Sequence, residues 1–185
     1  MLVARFLGQM DVTNYSAEER LRDGARVWLR AVRHEDQPAF RAGFGRLSER
    51  SIYHRFFQAK PGLTDQELTY LTDLDFRDHV ALVAEIESED GSRKGIGVGR
   101  FVRIRRPGVA DRAEVAFTVE DRHQGRGVGT HLLDHLTRIA RPLGYHAFEA
   151  EVMPDNRQML EVFEHSGLRI REELRDGVVH VVLEL

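Results

Sequence analysis

Ala113-Glu-Val-Ala-Phe-Thr-Val-Glu-Asp-Arg-His-Gln-Gly-Arg-Gly-Val-Gly-Thr130 decides the fold. Ala113 to Val119 is apolar, β-branched and aromatic, the signature of a strand. From Glu120 the chain turns polar and runs into Gly125, Gly127 and Gly129. Thr130 to Leu143 then has helical periodicity. The unit is strand, glycine-rich turn, helix. The first N–H groups of a helix lack partners within it, and the helix dipole adds positive potential there. Glycine lets a ligand approach the backbone closely. Such a turn suits a phosphate or pyrophosphate.

Spacing narrows the choice. The dinucleotide fingerprint G-x-G-x-x-G does not fit G-R-G-V-G-T, and there is no Gly-Lys-Ser/Thr ending of a P-loop. The pattern present is Q-x-x-G-x-G, from Gln124 to Gly129.

Outward from this unit, Arg26 to Val32 alternates as a first strand, and Leu21 to Gly24 is a turn before it. Residues 1–20 read as a tail, or as a short helix around Ser16 to Arg20. His34 to Leu47 reads as a helix starting near Asp36, with Pro38 in its first turn. Ser48 caps a second helix whose Ile52, Tyr53, Phe56 and Phe57 form one buried stripe. Thr64 with Glu67 is a capping box for a third. His79 to Ile86 and Gly95 to Ile104 read as strands, the glycines of the latter permitting close packing.

The helix after the glycine loop turns Val128, Leu132, Leu136, Ile139 and Leu143 inward and His131, Asp134, His135 and Arg138 outward. His146 to Met153 is a strand, and Pro154-Asp155-Asn156 opens a short helix. Asp176-Gly177 signals a type I′ hairpin between Arg169–Leu174 and Val178–Leu185. The sum is a mixed α/β sheet with helices on both faces, largely an antiparallel meander, with a parallel pair across the glycine loop.

Composition sets limits. The 185 residues suit one domain, taken as 21–185 after the tail. A net charge of −3 gives no global field for nucleic acid. Arg103, Arg105 and Arg106 read as a solvated strand end. The absence of cysteine excludes disulfides and thiolate chemistry and suits a reducing cytoplasm. No apolar run is long enough for a membrane span. His131 and His135 are four apart, but without H-E-x-x-H no metal site is expected.

The element order, with Q-x-x-G-x-G after the fourth strand and Asn156 after the fifth, resembles the GNAT N-acetyltransferase superfamily from Arg22 to Leu185. L-R-D-G-x-x-V at Leu21, S-E-R-S-I-Y-H-R-F-F at Ser48, D-H-V-A-L-V-A at Asp78 and A-E-V-A-F-T-V at Ala113 resemble the transferase domain of Pat-type bacterial protein lysine acetyltransferases. Many of those carry an additional regulatory or synthetase-like domain, for which this length leaves no room.

The resemblance implies a sheet of about seven strands, mixed but mostly antiparallel, splayed between the fourth and fifth. It implies acetyl-CoA as co-substrate and lysines of proteins, acyl-CoA synthetases among them, as acceptors. Backbone groups of Phe117, Thr118 and Val119 would then pair with the pantetheine arm. N–H groups of Gly125, Arg126, Gly127, Val128, Gly129 and Thr130, following Gln124, would hold the pyrophosphate. Asn156 would bind the arm from the other side, and Phe163 would pack near the thioester. The N–H of Val119, near a strand bulge, would meet the developing oxyanion. Phe163 stands where relatives place a tyrosine, so no side-chain acid is expected there.

A lysine is almost fully protonated at neutral pH, so its acetylation is helped by a base. Glu114, within an apolar strand, is the candidate, and burial would raise its pKa. Glu120, Glu149 and Glu151 read as surface or structural groups, with binding of the incoming lysine by Glu149 or Glu151 as the alternative. Acetylation of a small amine, and an acyl-CoA sensor without turnover, are the alternative functions.

Overall fold

The computed structural model describes residues 11–109 and 111–185. Its first strand falls where none was expected. β1 (Ser16–Arg20) pairs antiparallel with β2 (Arg26–Ala31), so Ser16–Arg20 is neither tail nor helix. Its sequence, SAEER, carries no apolar stripe because it lies at the margin of the sheet, alternately exposed and half-buried. The Leu21–Gly24 turn closes this hairpin, with Gly24 in the left-handed region at φ 84°.

β3 (His79–Glu87), β4 (Arg93–Arg103) and β5 (Arg112–Val119) continue the antiparallel meander. β6 (Ala147–Val152) is parallel to β5, and β7 (Arg169–Arg175) and β8 (Val178–Glu184) complete the order β1-β2-β3-β4-β5-β6-β8-β7. Among the described residues the sheet has eight strands, in keeping with the mixed, mostly antiparallel sheet of about seven expected. The expected fourth and fifth strands are β5 and β6. Asp176 (φ 51°) and Gly177 (φ 81°) give the β7–β8 turn the two left-handed residues of a type I′ hairpin.

Among the described residues five α-helices cover the two faces: α1 (Gln37–Phe44), α2 (Glu49–Phe56), α3 (Asp65–Thr72), α4 (Val128–Ala140) and α5 (Arg157–Glu164). His34–Asp36, expected to be helical throughout, is a 3₁₀ turn ahead of α1. Asp36 does not cap α1 with its side chain; it grips the Arg30 guanidinium at 2.8 Å with both oxygens. The Ser48 cap and the Thr64–Glu67 capping box form as read.

On one face α4 buries Val128, Leu132, Leu136 and Ile139, together with Phe163 of α5. Asp134 and Arg138 face outward, but His135 is buried, contrary to expectation. The reason is β1 and the residue before it: Tyr15 and Glu19 reach over α4 and hydrogen-bond the two nitrogens of the His135 ring. On the opposite face α1–α3 pack Phe44, Ile52, Leu63 and Leu68 together. The stripe expected on α2 is narrower than read: Tyr53 and Phe57 are exposed, at 45% and 38%. α2 ends at Phe57, which turns left-handed (φ 57°) and leaves the packed face.

Between the faces, β5 and β6 pair only at Arg112–Ala147, Ala113–Phe148 and Glu114–Glu149. Beyond Glu114 the strands diverge, which is the anticipated splay. The register of β4 against β5 is unbroken from Arg103–Ala113 to Gly97–Val119. The bulge expected near Val119 lies one strand away. Ala84 faces Gly97 while Glu85 faces Gly95, leaving Ile96 of β4 as the extra residue.

Gly99 of β4 makes room for side chains. A Cβ on Gly99 would sit 2.9 Å from the Phe117 ring and 3.1 Å from Leu136. Gly99→Val should therefore lower stability by about 1–3 kcal/mol, the usual cost of overpacking, measured as the midpoint of urea unfolding.

Candidate active site

The glycine loop sits at the mouth of the splay. Gly125 and Gly127 both adopt left-handed backbone, at φ 73° and 95°, and Gly127 is the N-cap of α4. The first backbone bond of that helix runs from His131 N–H to Gly127 C=O at 3.1 Å. The N–H groups from Gly125 to Thr130 therefore have no acceptor among the described residues. Six free donors around a helix start are a cradle for a polyanion.

Around this cradle is a cleft of about 950 Å³. Its walls are Phe117–Val119, the loop, α2, and the Pro154–His165 segment that includes α5. Strand alternation orients the backbone of β5. Glu120 N–H donates to Ile96 C=O on β4 at 2.8 Å, so the even-numbered residues face β4. Phe117 and Val119 then direct their backbone groups into the splay.

Gln124 braces this end of the strand. Its side-chain amide donates to Val119 C=O at 3.0 Å and to Ser51 Oγ at 3.1 Å. Asp121 joins the same corner, accepting from Ser48 N–H at 2.9 Å and Ser51 Oγ at 2.8 Å. Partial burial opposes its ionisation, but these bonds outweigh that and hold its pKa below the usual value. Across the cleft, His54 Nε2 and Asp155 are 3.1 Å apart, and Arg50 donates to Asp155 C=O at 3.1 Å. These contacts draw Asp155 below its ordinary pKa, the His54 bond foremost.

Most of the residues expected at the site line the cleft: Phe117, Thr118, Val119, Gln124, Gly125, Gly127, Val128, Gly129, Thr130 and Asn156. Asn156 also caps α5, accepting from Met159 N–H at 3.3 Å. Two do not line it. The Arg126 side chain turns away to Asp23 at 2.7 Å. Phe163 is 1% exposed and packs edge-on to Phe117, 6.1 Å between centroids, because it lies on the inner face of α5.

Glu114 requires a correction. It is exposed, with Ala113 and Val115 taking the buried positions beside it, so the burial expected of it is not found. Glu149 is already engaged, 2.6 Å from Arg106 and 2.9 Å from Arg112. Glu151 is exposed, 3.5 Å from His180. Glu120 is buried and structural, 3.2 Å from Arg46 and 2.8 Å from Arg122. Among the described residues no group of three or more His, Cys, Asp or Glu could hold a metal ion.

Arg22 was not singled out in the sequence. Its N–H donates to Arg126 C=O at 3.0 Å, and its side chain lies against Gly127 and lines the cleft. Arg50, His54, Arg55 and Arg157 were missed as well. No local motif marks them; only folding brings α2 and α5 to the loop.

Residues 29–168 match the family model described as "Acetyltransferase (GNAT) family". The chain belongs to the GNAT acetyltransferase family. GNAT membership makes it an acyltransferase, and the family's donor is acetyl-CoA. Its similarities within the family point the same way. It is 32% identical over 148 residues to an acetyltransferase of Pseudomonas aeruginosa, covering 78% of this chain and 75% of that protein. It is 35% identical over 161 residues to the acetyltransferase Pat of Mycolicibacterium smegmatis, covering 86% of this chain but 46% of that one.

Among solved structures, the GNAT domain of S. lividans PAT superposes with a TM-score of 0.83 at 36% identity, over 92% of this chain and 97% of that chain. A cAMP-binding acyltransferase from Mycobacterium smegmatis gives 0.61 at 30%, over 92% of this chain and 48% of that one. This GNAT chain therefore spans about half the length of the two mycobacterial proteins.

Gly127→Val would force a β-branched residue into left-handed backbone at the anion cradle. Coenzyme A binding, measured by calorimetry, should fall below detection while the far-UV spectrum stays native. A second expectation concerns pH. Burial, then the charge of Arg100, pull the pKa of His79 from 6.5 down to about 4. The native state thus favours neutral His79, and that contribution to stability is present above pH 6.5 and lost as pH falls through about 4. The melting temperature should drop across that window, and less steeply in His79→Gln.

Proposed function

We propose that this enzyme transfers acetyl from acetyl-CoA to the ε-amino group of lysines in proteins, acyl-CoA synthetases among them, by direct attack with Glu114 as general base. The observation that carries the reading is the row of unengaged N–H groups from Gly125 to Thr130, opening on a splay whose rim carries β5. The likeness to the acetyltransferase Pat and to the S. lividans PAT domain supports the choice of acceptor.

In this reading the loop N–H groups and Arg22 hold the pyrophosphate, and Phe117 and Val119 pair with the pantetheine arm. Asn156 faces the arm from the α5 side. The acceptor amine attacks the thioester carbonyl, a C–N bond forms, and the C–S bond breaks. Val119 N–H meets the oxyanion. A preorganised donor at that point lowers the barrier because it needs no reorganisation when charge develops.

The amine proton passes through solvent to Glu114, whose exposure allows a water-mediated transfer. The coenzyme A thiolate leaves with a proton from water. Bracing by Gln124 keeps the end of β5 in place during the step. The absence of cysteine supports a reducing, cytoplasmic setting.

Glu114→Gln should retain acetyl-CoA binding and lower kcat by roughly 10²-fold, the scale of general-base catalysis. Unchanged kcat would remove Glu114 from the mechanism. Mass spectrometry of a lysate incubated with enzyme and acetyl-CoA should reveal new acetyl-lysines. A parallel panel of purified acyl-CoA synthetases, polyamines and amino acids separates protein acceptors from small amines. Acetylation confined to the latter would overturn the lysine assignment.

A further inference from the structure

A second cavity, of about 340 Å³, lies between α1–α2 and the sheet. It shares Arg55 and Thr118 with the acetyl-CoA cleft, so the two spaces meet at the rim of β5. Several of its charges are already matched. Arg30 holds Asp36 at 2.8 Å and Glu85 at 2.6 Å, and Arg46 holds Glu120 at 3.2 Å. Arg100 and Arg55, which also line it, are not matched in this way.

Arg100 is 5% exposed. Its guanidinium donates to Leu71 C=O at 3.2 Å and lies 3.0 Å from His79 Nε2. Both are uncharged partners, since His79 stays neutral, and no carboxylate pairs with Arg100 among the described residues. Arg55 has no hydrogen bond or ion pair among the described residues, and its guanidinium carbon lies 5.2 Å from the centre of the Phe56 ring. Glu114 attracts it only through space.

A buried, unmatched charge is costly, and two of like sign more so. The strain is visible in Arg100, whose pKa is pulled to about 9 by burial first and then by Arg55. Such a pair costs folding stability that an arriving anion would return. The nucleotide phosphates already have the loop cradle. The cavity joins the cleft at Arg55 and Thr118, and its size admits a side chain or a small molecule. Planar guanidinium groups match the fork of a carboxylate.

We propose that Arg55 and Arg100 bind a carboxylate carried by the acceptor, so that the enzyme selects amines bearing an anionic group at a fixed reach. This rests on the amine-acetylation reading above. On a protein the carboxylate belongs to an Asp or Glu near the target lysine. On a small acceptor it is the molecule's own.

The test separates binding from turnover. Calorimetry on the protein loaded with coenzyme A compares ω-amino acids, from β-alanine to 6-aminohexanoate, with alkylamines of equal length. At one length the amino acid should bind about tenfold tighter or more, the scale of a charge-assisted hydrogen bond. Arg55→Gln should abolish that preference; having no bond to lose, it keeps the fold, whereas Arg100→Gln also unties Leu71 and His79 and needs a thermal-unfolding check. Equal affinities in the wild type, or a preference that survives Arg55→Gln, would overturn the proposal.

Acetylation of lysine peptides with Asp or Asn beside the lysine identifies the source. A higher kcat/KM for the Asp peptide assigns it to protein. A preference restricted to ω-amino acids assigns it to a small acceptor. Faster transfer from succinyl-CoA than from acetyl-CoA, lost in Arg55→Gln, would move the carboxylate to the donor and overturn the assignment. If no amine is acetylated while the binding preference persists, the transfer reading falls and the anion site stands.

Discussion

Two parallel strands that share three residue pairs and then part govern the rest of this molecule. A sheet does not open without leaving backbone groups unsatisfied. Here the open edge is β5 beyond Glu114, where Phe117 and Val119 face the splay, and the chain surrounds it with elements that satisfy one another. Gln124 holds the end of β5, Asp121 holds the start of α2, and Asp155 receives His54 and Arg50 from across the gap. The splay is thus a built feature with fixed walls. The glycine loop stands at its mouth, and Arg55 and Arg100 line the adjoining cavity between α1–α2 and the sheet. An elongated, anionic acyl carrier suits the first, and an acceptor that differs in charge from a plain amine suits the second.

Much of this was legible from residues alone because the signals were local. The strand–glycine–helix unit, the Ser48 cap, the Thr64–Glu67 box and the Asp176–Gly177 hairpin each depend on neighbours a few positions apart. Fold class and cradle followed from them. What escaped was long-range. β1 has no apolar stripe, so nothing in SAEER announced a strand, and its absence made His135 look external. Phe163 reads as a lining residue, yet the phase of α5 turns it inward, where it backs Phe117 of the cleft wall. Glu114 was expected to be buried because its neighbours in the strand are apolar. β5 in fact presents alternate faces, and Glu114 lies on the exposed one.

The same limit explains the missed site residues. Arg22, Arg50 and Arg157 come from three separate elements, each reading as ordinary surface arginine in its own context. Arg55 and Arg100 are of the same kind. A charge in a helix or strand is unremarkable until packing removes its solvent, and no window of sequence reports that removal.

Strands β1 and β7 lie at the two outer margins of the sheet, and both are written largely in charge: Ser-Ala-Glu-Glu-Arg on one side, Arg-Ile-Arg-Glu-Glu-Leu-Arg on the other. An open strand offers its free amides and carbonyls to any passing chain. A newcomer adding itself to either rim would have to strip water from glutamates and arginines along its whole length. The ladder is closed to growth by hydration, and the one place left open to a guest is the gap inside it.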